Sequence, residues 1–203
     1  MVKRQLLLIH GGMTFRRKKD YVQYLKTRKI AVMKKRKWSG EYLDKKLGKD
    51  FKIIRPRMPL CENAKYADWK IHFERHIPFL RNNVVLLGRS LGGIFLAKYL
   101  SENKFPKKLA AVYLICPSFD RTHSVETLTG GFTLRSDLSL IGKNCKKLHL
   151  FFSADDVIVP PYHAEQYRKK LPWASITVFE SKNGHFSVET FSELVRLLKK
   201  DLN

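Results

Sequence analysis

Acidic residues are scarce in this chain: 18 Asp and Glu stand against 40 Lys and Arg over 203 residues, for a formal charge of +22. That balance disfavours cationic partners and turns attention to anionic ones: nucleic acid, an anionic membrane surface or a phosphorylated small molecule. Cysteine is nearly missing. Cys61, Cys116 and Cys145 are odd in number, far apart and without a CxxC, which excludes a disulfide framework and a cysteine-rich zinc site. They read as reduced thiols, Cys116 as a core residue at a strand end. Long apolar runs are also missing. None approaches the roughly 18 residues that span a bilayer, and the apolar centre of "VKRQLLLIHGG" is shorter than the roughly 7 to 15 residues of a signal peptide. The expected location is therefore cytoplasmic. Internal repeats and linker-like stretches are lacking too, and a 44% hydrophobic chain of this length can bury one sizeable core. A single domain over 1–203 is expected.

The positive charge is unevenly spread. Between Arg16 and Lys37 eleven basic residues meet one acid, Asp20. Such a block reads first as a solvated face and second as an attractor of polyanions or anionic acyl substrates, with nucleic acid the less favoured partner.

Six short β-branched or aliphatic runs recur along the chain: 5–10, 51–56, 83–88, 110–116, 147–153 and 175–180. Between them apolar residues return at helical spacing, as at Ile94, Ala97, Tyr99 and Leu100, and at Phe191, Leu194, Val195 and Leu198. Apolar strands separated by helices predict an α/β fold, doubly wound, with a mainly parallel sheet of about six strands and helices on both faces.

In such sheets ligands bind where strands end. The third run leads into "GRSLGG", where Ser90 sits between Gly88 and Gly92 at a strand-to-helix junction. A tight turn capped by serine would explain these residues alone. A G-x-S-x-G elbow would instead expose Ser90 Oγ as a nucleophile, its glycines avoiding clashes with the adjoining strand and helix. A serine hydroxyl needs a base, and His185 lies in a Gly-His loop after the last strand. An acid must fix the imidazole tautomer, a task Asp155 or Asp156 after the fifth strand could take, with Asp120 after the fourth as a further candidate. The oxyanion of a tetrahedral intermediate would be held by the N–H of Leu91, at the start of the following helix, and by that of Gly12 or Met13. His10 reads as shaping the latter loop. His72, His76, His123, His149 and His163 lack metal-ligand spacing, so neither a metal nor a cofactor is implied.

With "HGG", "GRSLGG", "SADDVIVP" and "NGHF" in this order, the chain resembles the α/β-hydrolase superfamily over nearly its whole length. It is most similar to the small lidless branch of YdeN-type and retinoblastoma-binding serine hydrolases. That resemblance implies a catalytic acid four residues before Pro160, which selects Asp156. It implies a serine esterase working through an acyl-enzyme on Ser90 with Asp156 and His185, or else a thioesterase or amidase with the same triad. The reading from another class is a non-catalytic protein of this fold that binds nucleic acid or an acidic partner with its basic face. Two departures stand out. The stretch from Phe15 to Trp38 lengthens the connection after the first strand, and the connection at about 118–146, where larger relatives insert a lid, is short and contains the Gly-rich "TLTGGFTL". A flexible flap is expected there.

Overall fold

The computed structural model describes residues 2–30, 32, 36–121 and 128–201. Each apolar run forms a strand: β1 (Arg4–Ile9), β2 (Phe51–Ile54), β3 (Val84–Arg89), β4 (Leu109–Ile115), β5 (Leu148–Ser153) and β6 (Ser175–Phe179). They pair in parallel throughout, in the order β2-β1-β3-β4-β5-β6. The chain leaves β1 toward one edge, returns to its other side as β3 and then proceeds outward. The order reverses between β1 and β3, and the carboxyl ends of strands at such a switch point are the ordinary ligand position in open α/β sheets.

Both faces are covered, which is why β1, β3 and β4 carry side chains that are apolar without alternation. On one face lie α3 (Tyr66–Glu74) and α4 (Leu91–Glu102). The latter is apolar nearly all round and almost entirely buried, as a helix between a sheet and other elements must be. Trp69 meets Phe95 at 5.7 Å and Phe132 at 5.4 Å here. On the other face α7 (Ser192–Lys200) buries Leu194, Val195 and Leu198, and a second aromatic group joins Trp38, Phe186 and Phe191. The remaining helices are α1 (Lys18–Thr27), α2 (Leu43–Leu47), α5 (Leu140–Asn144) and α6 (Tyr162–Lys170). Among the described residues no helix is long and apolar enough to cross a membrane.

Two expected features turn out differently or lie partly out of view. The Gly-rich segment is not loose where it is described. Gly130 and Gly131 take φ of +67° and +86°, and the turn they allow drives Phe132 into the core against Tyr66 and Trp69. Thr129 N–H donates to Thr14 Oγ1 (3.0 Å), and Gly130 O accepts from Tyr66 N–H (2.8 Å). The centre of the expected flap, 122–127, lies outside the described residues. Of the basic stretch, α1 is described, and none of its side chains is buried. Residues 31 and 33–35 lie outside the described set, Lys34 and Lys35 among them.

Candidate active site

The elbow explains the spacing of its glycines. Ser90 is held at φ +52°, ψ −123°, a region that side-chain-bearing residues avoid and that persists only where the surroundings impose it. Its N–H continues the ladder to Ile115 O (2.8 Å), and its C=O accepts the first bonds of α4 from Gly93 and Ile94. The turn is so tight that a Cβ on Gly88 would lie 2.4 Å from Gly92 O, and one on Gly92 2.3 Å from Ile9 O. The His10-Gly11-Gly12 loop lies directly against the elbow, since a Cβ on Gly11 would meet Ser90 Cβ at 3.2 Å.

His185 follows β6 in a loop that is pinned from several sides. Asn183, Gly184 and Phe186 all adopt positive φ, and Trp38 Nε1–H donates to Phe186 O (3.2 Å). Phe186 is buried against Phe191 and Phe179. Arg89, beside the serine, reaches across with Nη2 to His185 O (3.3 Å).

The two neighbouring aspartates divide the work. Asp156 is buried; its Oδ1 accepts from the N–H groups of Ile158 (2.9 Å) and Val159 (3.0 Å), and its Oδ2 lies 2.7 Å from His185 Nδ1. Asp155 points away, to Ser153 Oγ and Ser181 Oγ (2.5 Å each), Gly184 N–H (3.0 Å) and Lys182 N–H (3.3 Å). These hydrogen bonds hold its carboxyl far below the usual carboxylate range. Asp155 thus fastens the histidine loop, whereas Asp156 meets the imidazole. Asp120, the further candidate, lies with Tyr162 (3.2 Å) and His163, not with His185.

The oxyanion side resolves one alternative. Met13 N–H is already spent on Cys61 O at 2.8 Å, which removes it as an oxyanion donor. Gly12 lies against Leu91 with no such bond among the described residues, leaving Gly12 and Leu91 as the pair to carry forward. His10 shapes this loop. Its Nε2 accepts from Met58 N–H (2.9 Å), which places the proton on Nδ1 for donation to Gly11 O (2.6 Å).

One residue at the site was read only as core. Cys116, the first residue past β4, is buried at φ +43° with its Sγ 3.6 Å from His185 Nε2, the nitrogen that would accept a serine's proton. Burial opposes charging the imidazole, but the contacts with the Cys116 sulfur and with Asp156 outweigh it and raise the His185 pKa to about 10. A histidine serves as a base only when neutral, so the raised pKa puts its working range on the alkaline side. Replacing Cys116 by Ala should therefore move the acid limb of the kcat/KM profile down by at least about one pH unit, raising neutral-pH turnover about tenfold. An acid limb that stays in place would show that the sulfur does not govern His185. Cys116, Asp156 and His185 are also a group whose potential metal-ligating atoms lie within 4.8 Å of one another. The Asp156 oxygens there already accept from Ile158, Val159 and His185.

These features define a hydrolase of the α/β class, in which a strained serine elbow after β3 and a carboxylate-bound histidine after β6 sit at carboxyl ends of the same parallel sheet. Residues 33–195 match the family described as serine hydrolase, and the chain belongs to that family. Among solved structures it is similar to the ydeN gene product of B. subtilis, with TM-score 0.76, 21% identity, and 98% of this chain and 99% of the other covered. A YdeN-like protein of Pectobacterium atrosepticum superposes with TM-score 0.65 at 14% identity, covering 98% and 91%. The thioesterase domain of the curacin biosynthetic pathway gives TM-score 0.62 at 13% identity, covering 97% and 91%. A comparison with curated proteins finds no match.

Proposed function

We propose that the chain hydrolyses carboxylic esters through an acyl-enzyme on Ser90. The observation that carries this reading is the 2.7 Å contact between Asp156 and His185 Nδ1, on the rim where the Ser90 elbow projects. In the first half-reaction Ser90 Oγ attacks the ester carbonyl and His185 Nε2 takes its proton. The N–H groups of Leu91 and Gly12 receive the oxyanion, and the alcohol leaves with the proton returned by His185. Water then repeats the sequence on the acyl-enzyme. Ser90 Oγ has no hydrogen-bond partner among the described residues, so nothing must be broken before it turns to Nε2. Catalytic hydrogen bonds commonly tighten only once substrate is bound. An ester is preferred to an amide because an alcohol leaves the tetrahedral intermediate more readily than an amine. Treating the protein with a fluorophosphonate probe and mapping the modified peptide tests this reading: the label is expected on Ser90, and a label elsewhere, or none, would refute it.

A further inference from the structure

The basic stretch is not used by the proposed chemistry, yet Arg28 within it and Trp38 just beyond it are tied to the rim that carries it. Arg28, just past α1, is ion-paired with Glu62. Glu62 belongs to the loop whose Cys61 O and Ala64 N–H grip Met13, next to Gly12. At the far end, Trp38 bonds the histidine loop through Phe186 O and Val188 O. α1, which runs up to the first of these anchors, buries none of its side chains. Phe15 packs beside Tyr21 and Tyr24, which occupies the helix's aromatic face. The rest of the helix and the residues just after it are unusual. Val22, Leu25, Ile30 and Val32 are 37%, 40%, 85% and 94% exposed, among the exposed lysines 18, 19, 26 and 29. Asp20, the sole acid of the stretch, is neutralised by Arg17 at 2.9 Å.

Charge of this kind attracts any polyanion, but the exposed apolar side chains discriminate. Aliphatic groups gain nothing from a phosphate backbone, and the tyrosines that could stack on bases are turned toward Phe15. Aliphatic side chains interleaved with lysines match the interface of an anionic bilayer, where the former enter the acyl boundary and the latter meet headgroups. We propose that α1, with Ile30 and Val32 beyond it, forms a docking surface for anionic membranes that presents lipid-borne esters to Ser90. The substrate half of this proposal rests on the esterase reading above; the docking half does not.

The test uses the full chain carrying Ser90→Ala, sedimented with vesicles of phosphatidylcholine alone or with about one quarter phosphatidylserine. The expected result is at least about tenfold stronger partitioning onto the anionic vesicles, weakening several-fold as salt rises from about 0.1 to 0.5 M. Leu25→Gln with Ile30→Gln should reduce that partitioning at least about fivefold. In the Ser90 enzyme the same pair should leave turnover of a soluble p-nitrophenyl ester unchanged, which reports that the variant is folded. Equal partitioning onto both vesicles overturns the proposal. So does binding that survives Leu25→Gln with Ile30→Gln but is lost on Lys18→Gln with Lys26→Gln and is equalled by RNA, which would make the stretch a nucleic-acid surface. With the active enzyme, a long-chain ester should be cleaved faster in anionic than in neutral vesicles. Docking without any cleavage, of soluble or vesicle-borne esters, would refute the esterase reading and leave the docking surface standing.

Discussion

Ser90→Ala is expected to abolish fluorophosphonate labelling and to lower kcat for a p-nitrophenyl ester at least about 10³-fold, while the melting midpoint stays within a few degrees. Both halves follow from the elbow. The backbone around Ser90 is held by bonds from its own N–H and C=O and by the close approach of Gly88 and Gly92, none of which involves the hydroxyl. Removing Oγ therefore breaks no structural hydrogen bond among the described residues. Alanine at φ +52° suffers about the same backbone strain as serine. The activity that remains would come from the oxyanion donors and from substrate positioning, which survive loss of a nucleophile. If the variant keeps more than about a tenth of wild-type turnover, Ser90 is not the attacking group.

The second large effect separates two carboxylates adjacent in sequence. Asp156→Asn is expected to lower kcat by on the order of 10³ to 10⁴. The amide must still satisfy the N–H groups of Ile158 and Val159 with its oxygen, which turns its NH₂ toward His185 Nδ1. A donor there forces the imidazole into the tautomer that carries its proton on Nε2, where it can no longer accept one from Ser90. Asp155→Asn weakens the bonds to Ser153, Ser181 and Gly184 but leaves an oxygen to accept from some of them. Its cost should appear as a lower melting midpoint and a loss of kcat of no more than about tenfold. Parallel measurement of kcat and melting for the two variants decides the matter, and the reverse ranking would transfer the acid's role to Asp155.

Most of the frame was legible because it depends on composition at single positions. The strands β1 to β6 begin and end within about two residues of the apolar runs, since a parallel sheet covered on both faces needs uninterrupted aliphatic side chains. The elbow was legible through its glycines, which the backbone contacts of Gly88 and Gly92 require. The rest depended on contacts between distant segments. That Met13 N–H belongs to Cys61 O is a backbone bond, on which the identity of neither side chain bears. That Cys116 meets His185 follows from where β4 ends and how the histidine loop folds back, 69 residues further along the chain. The Gly-rich segment was read from its glycines as mobile, when Phe132 was the residue that anchored it. The choice between the two aspartates came from a family likeness and not from local pattern. Both are acids after the same strand, and only the direction each side chain takes tells them apart.

The fastening of the histidine loop by Asp155 bears on what acid does to this protein. A carboxylate whose folded-state pKa is depressed contributes stability that is present above its unfolded pKa and lost only as pH falls through the folded one, which here lies in strong acid. His185, with its raised pKa, is already charged well above that range. Protonation therefore silences the base while the latch beneath it still holds. Falling pH should thus remove activity without damage, so that a protein held near pH 4 and returned to its starting pH recovers its full initial rate as fast as it can be mixed. Slow or incomplete recovery would mean that the loop had let go along with the base.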